Sequence, residues 1–123
     1  MLNKKYKIVH HHFNGDFIII NDDNVNNSSL PKLNINNVLI FNIKNNKIIF
    51  RFTKIDKINS TDKKIYIDKI EYNKEFPQNI INLFNILGMM NTPTVFYLVY
   101  NMDFKVWYLK NNNFTTVFIV KEV

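Results

Sequence analysis

Cysteine and alanine are absent from this 123-residue chain, which has only two glycines, three prolines and one arginine. Without cysteine there is no disulfide and no thiolate metal site, which fits a reducing, intracellular setting. With Gly15 and Gly88 alone, there is no glycine-rich phosphate loop. No apolar run approaches about 18 residues and the N-terminus lacks signal-peptide character, so we expect an intracellular protein of the cytoplasm or nucleus without a membrane span.

Three residue types dominate instead, with 22 Asn, 18 Ile and 15 Lys. Their codons are AT-rich, whereas those of the scarce Ala, Gly and Arg are GC-rich. The composition therefore indicates an AT-rich genome, such as that of a virus, phage or other mobile element. The net charge of +6 favours a polyanionic partner, but codon bias alone can also account for the lysines.

One segment, Phe76 to Met90, has apolar residues at a helical period. Pro77 suits the first helical position and Gly88 suits a left-handed residue just past the end, so the helix is predicted at Pro77 to Leu87. Its polar side chains form only a narrow stripe. Such a helix is predicted to be buried on more than one side.

The rest of the chain alternates between apolar and polar residues as strands do. Strands are predicted at 4–13, 16–21, 37–43, 47–58, 64–72, 94–100, 104–110 and 115–123. The segment 94–100 is apolar on both faces and is predicted to be covered on both sides. The predicted fold is a single α+β domain, residues 1–123. It is a strongly bent, mainly antiparallel, half-barrel-like sheet of about eight strands with one central helix near residues 77–87.

The two longest strands each change phase once. If their turn is centred near Thr61, the break at Thr53-Lys54 lies opposite the break at Asp68-Lys69. Facing phase changes predict paired bulges at which the hairpin bends.

The histidine run is one candidate for chemistry. His10 and His12 would point the same way on a strand, a spacing that can chelate zinc or another transition metal. No second histidine cluster completes such a site, and the alternative is an exposed edge-strand run. The segment Asp62-Lys63-Lys64 matches the acidic-x-Lys pattern of metal-dependent nucleases, although Asp62 also suits a turn. No full catalytic set is evident, so the sequence favours a non-enzyme without a cofactor.

The hairpin 44–69 combines basic residues with interleaved aromatics. A curved sheet with lysines on its convex face and Tyr66 or Phe50 nearby could hold single-stranded nucleic acid by backbone contacts and stacking. The alternative is a solvated face whose Lys–Asp pairs protect the sheet. The candidate nucleic-acid-binding residues are Lys44, Lys47, Arg51, Lys54, Lys57, Lys63 and Lys64.

The favoured function is a small non-enzymatic binding protein that acts on a macromolecular partner, as an inhibitor or accessory factor from a virus, phage or mobile element. A protein partner is favoured, with Phe84, Met90 and Trp107 as interface candidates. The first alternative is a nucleic-acid-binding module on the 44–69 hairpin, and the second is a metal-dependent enzyme built on the histidines. A homodimer through the C-terminal strand is expected only if that strand lies at an edge.

Overall fold

The computed structural model of the protein describes residues 2–9, 14–21 and 37–123. These residues form eight strands and one helix. The strands are β1 (Leu2–Val9), β2 (Gly15–Asn21), β3 (Asn37–Ile43), β4 (Asn46–Lys57), β5 (Lys63–Tyr72), β6 (Thr94–Asn101), β7 (Val106–Lys110) and β8 (Thr116–Glu122), and the helix α1 (Gln78–Ile86) lies between β5 and β6.

Each strand pairs antiparallel with its neighbours in sequence, and β8 returns to pair with β1. The α+β class, the antiparallel sheet and the single helix are therefore confirmed, but the sheet is a closed barrel rather than a half-barrel. Closure rests on the pairs from Tyr6–Glu122 to Val9–Ile119. Because β8 is paired on both sides, the C-terminal strand has no free edge through which the expected homodimer could form.

Aromatic rings fill the barrel interior. Phe17, Phe41, Phe50 and Phe96 have no exposed surface. Their ring centroids lie 4.9 Å apart for Phe17–Phe41, 5.6 Å for Phe41–Phe50 and 5.1 Å for Phe50–Phe96. The interior of an eight-stranded barrel is only about wide enough for side chains, so rings of this size occupy it.

The helix α1 covers the end of the barrel at which β5 ends and β6 begins. Phe84 inserts its ring among those of Phe41, Phe50 and Phe118, at centroid distances of 5.2, 6.2 and 5.5 Å. The predicted helix at 77–87 is thus confirmed to within one residue at each end, and its buried face closes the core. No helix in the described ranges is long and apolar enough to cross a membrane.

The helix ends as the sequence predicts. Gly88 has a positive φ of 73°, and the amide of Asn111 donates a 2.8 Å hydrogen bond to the Leu87 carbonyl oxygen. This hydrogen bond ties the end of α1 to the turn between β7 and β8. A Cβ atom at Gly88 would lie 3.2 Å from the Asn111 side-chain nitrogen, so the close approach also favours glycine.

The facing phase breaks on β4 and β5 are confirmed as register shifts. Phe52 pairs with Ile67 and Lys54 pairs with Tyr66, so Thr53 is left as an extra residue on β4. Without this bulge, alternation from buried Phe52 would turn Lys54 inward. The bulge instead places Lys54 on the outer face of the barrel, beside Tyr66.

Candidate nucleic-acid interface

Three tyrosines lie on the outer face of neighbouring strands: Tyr66 on β5, Tyr97 on β6 and Tyr108 on β7. In each case both neighbours in the chain are buried, so strand alternation turns the tyrosine outward. All three are partly exposed. The barrel therefore presents a row of aromatic rings to solvent across three adjacent strands.

The outer face of β6 corrects a prediction. The apolar segment 94–100 was expected to be covered on both sides, but Val95, Tyr97 and Val99 are partly exposed on its outer face. The single helix lies at the end of the barrel and does not cover this face. The apolar character of β6 thus reflects an aromatic surface rather than a second layer.

Two lysines stand beside the first two tyrosines. Lys54 is directly opposite Tyr66, and Lys64 is directly opposite Tyr97. The Lys54 ammonium lies 4.7 Å from the centroid of the Tyr66 ring. The Lys64 ammonium lies 5.1 Å from Tyr66 and 5.9 Å from Tyr97, so it is shared between the two rings.

A third lysine continues the row. Lys110 pairs with Tyr97 from the other side, and its ammonium lies 5.8 Å from the Tyr108 ring and 4.3 Å from the Phe114 ring. Cations and rings therefore alternate from β4 to the turn after β7. We call this surface the aromatic–lysine face, which consists of Lys54, Lys64, Lys110, Tyr66, Tyr97, Tyr108 and Phe114.

Phe114 is held in a strained conformation in the turn between β7 and β8. Its φ is 63°, its side chain is 52% exposed, and its ring meets Tyr97 edge-on at 5.0 Å. The Asn111 side-chain oxygen fixes the turn by accepting hydrogen bonds from the backbone N–H groups of Asn113 and Thr115. A left-handed conformation costs a bulky residue about 1–2 kcal/mol. Strain of this kind is typical of functional positions.

Replacing Phe114 by glycine should weaken binding but leave the stability of the protein nearly unchanged. Glycine removes the backbone strain of about 1–2 kcal/mol but loses the ring contact with Tyr97, about 0.5–1.5 kcal/mol. Because these terms offset, urea titration should show a change in unfolding free energy of less than about 1 kcal/mol. If the ring takes part in binding, affinity for single-stranded oligonucleotides should fall about tenfold.

Phe114→Asn is the matched control, because asparagine also tolerates the left-handed region and lacks the ring. The two variants should lose affinity to the same extent. Affinity equal to that of the unmodified protein in both variants would remove Phe114 from the binding surface.

The face carries a positive charge at neutral pH. A hydrogen bond with the Tyr66 hydroxyl, together with the nearby Tyr97, raises the pKa of the Lys64 ammonium. Asp56 is the neighbouring carboxylate, 3.7 Å from the Lys54 ammonium and opposite Lys64. Exposed ion pairs of this kind contribute at most about 1 kcal/mol, so Lys54 can exchange Asp56 for a phosphate at little cost.

A cleft of about 350 Å³ opens beside Tyr66. Its walls include the bulge residue Thr53, together with Asp68, Pro93 and Asn112. Ligand sites in proteins begin at about 300 Å³, so the cleft has room for one nucleobase next to the Tyr66 ring.

Only two of the seven predicted basic residues lie on this face, namely Lys54 and Lys64. Lys57 and Lys63 follow the inward-facing register of β4 and β5 and lie at the end of the barrel away from α1. Lys44 lies in the turn between β3 and β4, at the other end. The hairpin therefore divides its lysines among three surfaces.

The remaining two basic candidates also lie apart from the aromatic–lysine face. Lys47 pairs with Asn42 near the start of β4. Arg51 forms a two-pronged ion pair with Glu71, with N–O distances of 2.7 and 3.2 Å. Its hydrogen bond to Glu71 raises the pKa of Arg51, and the same contact holds the pKa of Glu71 below its usual range.

Most of the residues expected at a protein interface lie in the core. Phe84 has no exposed surface, Trp107 is 8% exposed, and only Met90 is partly exposed. Phe50, expected near the convex face, is also fully buried. Neither Phe84 nor Phe50 can contact a partner without opening the barrel.

Of the candidate catalytic groups, only the segment at Asp62 lies within the described ranges. His10 and His12 lie outside them, and residues 2–9, 14–21 and 37–123 bring together no three His, Asp or Glu side chains suited to a metal ion. Asp62 accepts hydrogen bonds from the Tyr100 N–H at 2.9 Å and from the Thr61 hydroxyl at 3.0 Å. Burial opposes its ionisation, but these bonds outweigh it and hold the pKa of Asp62 below its usual range. The Asp62 carboxylate thus stabilises the turn between β4 and β5.

Sequence reasoning missed Lys110, Phe114 and the outward position of Tyr97. Alternation within 94–100 indicates that Tyr97 points outward. Its neighbours Phe96 and Leu98 are larger apolar residues than Val95 and Val99, which share a face with Tyr97. Tyr97, Lys110 and Phe114 come next to the hairpin residues through the pairing of β5 with β6, which joins parts of the chain separated by the helix.

Comparison with protein-family models, curated proteins and solved structures found no match to this chain. The fold and the site therefore define its class directly. It is a small closed β-barrel whose outer surface carries alternating aromatic rings and lysines.

Proposed function

We propose that this protein is a non-enzymatic binding module whose macromolecular partner is a single-stranded nucleic acid, held on the aromatic–lysine face. The observation that carries the proposal is the alternation of rings and ammonium groups across four adjacent strands. These groups are Lys54 on β4, Tyr66 and Lys64 on β5, Tyr97 on β6, and Tyr108 and Lys110 on β7.

Each component of a single strand has a matching group on this face. Bases stack on aromatic rings regardless of sequence, and lysines neutralise phosphates. The ammonium groups lie over the rings, an arrangement worth about 0.5–1 kcal/mol at an exposed site. A stacked base is worth about 1–3 kcal/mol. Displacing a flexible lysine from a ring to a phosphate therefore favours binding.

The geometry favours a single strand over a duplex. Tyr66 and Tyr97 are diagonal neighbours on adjacent strands, so their Cα atoms are about 7–8 Å apart, and Tyr97 and Tyr108 are related in the same way. The face thus offers three stacking positions. Bases inside a duplex are stacked on each other and cannot reach the rings, so a duplex would contact only the lysines.

A protein partner is the second candidate. Met102 and Phe104, in the turn between β6 and β7, are 77% and 72% exposed, and Phe104 borders a groove of about 330 Å³ with Val106 and Ile119. Large exposed apolar side chains are typical of protein contacts. Either partner fits an accessory factor or inhibitor that works inside cells, from the AT-rich virus, phage or mobile element that the composition indicates.

Fluorescence anisotropy with a labelled 15-mer tests the proposal directly. The unmodified protein should bind the single strand at 50 mM salt and bind a duplex of the same sequence more weakly. Tyr66→Leu combined with Tyr97→Leu should weaken binding at least about 30-fold, because two stacking contacts are lost.

Tyr72→Leu is the matched control. Tyr72 is an exposed tyrosine on β5 outside the aromatic–lysine face, and its replacement should leave affinity unchanged. Failure of the unmodified protein to bind any single strand at 50 mM salt would overturn the proposal.

A further inference from the structure

The end of the barrel away from α1 carries a second group of cations. On β1, β4 and β5, the last inward-facing core residues toward this end are Tyr6, Ile55 and Ile65. The next inward-facing position on each strand, two residues further along, is a lysine. We call this group the lysine rim, which consists of Lys4, Lys57 and Lys63. It is separate from the aromatic–lysine face, whose lysines point outward.

Two of these lysines face each other, and neither forms an ion pair with a described residue. Lys57 and Lys63 are directly opposite on paired strands, an arrangement that destabilises a sheet when the charges are alike. Burial lowers the pKa of Lys63, and the charges of Lys4 and Lys57 lower it further.

The carboxylates near the rim are already engaged. Glu122 accepts a 3.1 Å hydrogen bond from the Lys4 ammonium, and Asp62 accepts hydrogen bonds from the Tyr100 backbone and the Asn59 side chain. Both carboxylates raise the pKa of Lys63, but burial and the charges of Lys4 and Lys57 lower it by more. The Lys57–Lys63 pair therefore keeps an unbalanced positive charge.

The Lys63 ammonium is also held in a defined place. It donates a 3.1 Å hydrogen bond to the Thr61 carbonyl oxygen and lies 5.4 Å from the centroid of the Trp107 ring. Trp107 in turn packs against Tyr100, with ring centroids 4.8 Å apart. The ammonium of Lys63 is thus held in place on a residue directly opposite a second lysine, and two ammonium groups can share one oxyanion.

We propose that the lysine rim binds a phosphate group, with Lys57 and Lys63 as its two principal contacts. An oxyanion between these two side chains removes their mutual repulsion and adds charge-assisted hydrogen bonds. The phosphate group belongs either to inorganic phosphate or to the end of a nucleic acid strand. The site does not depend on the function proposed for the aromatic–lysine face.

Thermal unfolding in two buffers tests this proposal. In 10 mM phosphate, compared with chloride at the same ionic strength and pH, the melting temperature of the unmodified protein should rise by about 3–6 °C if the Kd is near 1 mM. Lys57→Gln should melt higher than the unmodified protein in chloride, because the repulsion is gone, and should show no added stabilisation in phosphate.

Lys47→Gln is the matched control, because Lys47 lies on β4 toward the α1 end of the barrel and its loss should leave the phosphate response intact. Equal responses of the unmodified protein and Lys57→Gln, or no response in either, would overturn the proposal. A 5′-phosphorylated dinucleotide compared with its 5′-hydroxyl form identifies the source. Stabilisation by the phosphorylated form at lower concentration than inorganic phosphate assigns the site to a strand end, and the reverse order assigns it to the free ion.

Discussion

Reversing three charges, with Lys54→Glu, Lys64→Glu and Lys110→Glu in one chain, should reduce affinity for single-stranded nucleic acid at least about 100-fold. These lysines are the ammonium groups nearest to the exposed tyrosine rings. Each substitution replaces an attraction to phosphate by a repulsion, whereas the tyrosines remain. Anisotropy at 50 mM salt, with a labelled 15-mer, measures the loss.

The salt dependence gives a second measure of the same surface. For single strands, the logarithm of the binding constant falls with the logarithm of salt concentration by about 0.7 per neutralised phosphate. Three lysines therefore predict a slope of about −2, or an approximately 16-fold loss of affinity between 50 and 200 mM salt. The triple variant should bind too weakly to show this slope.

The matched control reverses the same number of charges elsewhere. Lys7, Lys44 and Lys47 lie on β1, on the turn between β3 and β4, and at the start of β4, so their replacement by glutamate changes the net charge equally. Because that variant keeps the aromatic–lysine face, it should bind within about threefold of the unmodified protein. Equal losses in both variants would show that binding responds to net charge alone and would contradict a defined site.

Local patterns in the sequence account for much of the fold. The facing bulges on β4 and β5 follow from apolar positions that change phase at Thr53, because alternation reports the face of each residue on a strand. The helix end at Gly88 follows from the small set of residues that adopt a positive φ. Both are properties of a few consecutive residues, and the sequence therefore predicts them.

Closure of the barrel is a different kind of property. It depends on pairs such as Tyr6 with Glu122, at opposite ends of the chain, and no neighbouring residues report on that pairing. The same holds for β6, whose two apolar faces indicate either a second layer or an exposed aromatic surface. The choice depends on where α1 packs, which the sequence of β6 does not contain.

The aromatic–lysine face shows the same division. Lys54, Lys64 and Tyr66 could be predicted because they belong to one hairpin, where local register places them together. Tyr97 and Lys110 join them only through the pairing of β5 with β6, which spans the helical connection. The hairpin alone therefore contains one half of the face, together with lysines that point elsewhere.

The filled interior of the barrel leaves its outer surface for contact with a partner. The rings of Phe41 and Phe50 pack edge to face inside the barrel. The helix α1 closes one end of the barrel with the ring of Phe84. A barrel packed in this way uses its inner positions for stability. Its outer positions, including the strained Phe114, are where side chains deviate from what stability alone requires.

Replacing Phe84 by alanine should have the largest effect on stability, a loss of about 3–5 kcal/mol in unfolding free energy. The Phe84 ring has no exposed surface and contacts three other phenylalanine rings, so truncation leaves a cavity where the helix meets the barrel. Urea titration measures the loss as a lower midpoint with an unchanged slope.

Ile86→Ala is the matched control on the same helix. Because Ile86 is 81% exposed, its replacement should change the unfolding free energy by less than about 0.5 kcal/mol. A Phe84→Ala variant that unfolds at the same urea concentration as the unmodified protein would show that α1 does not close the core, and would return Phe84 to the protein-partner hypothesis.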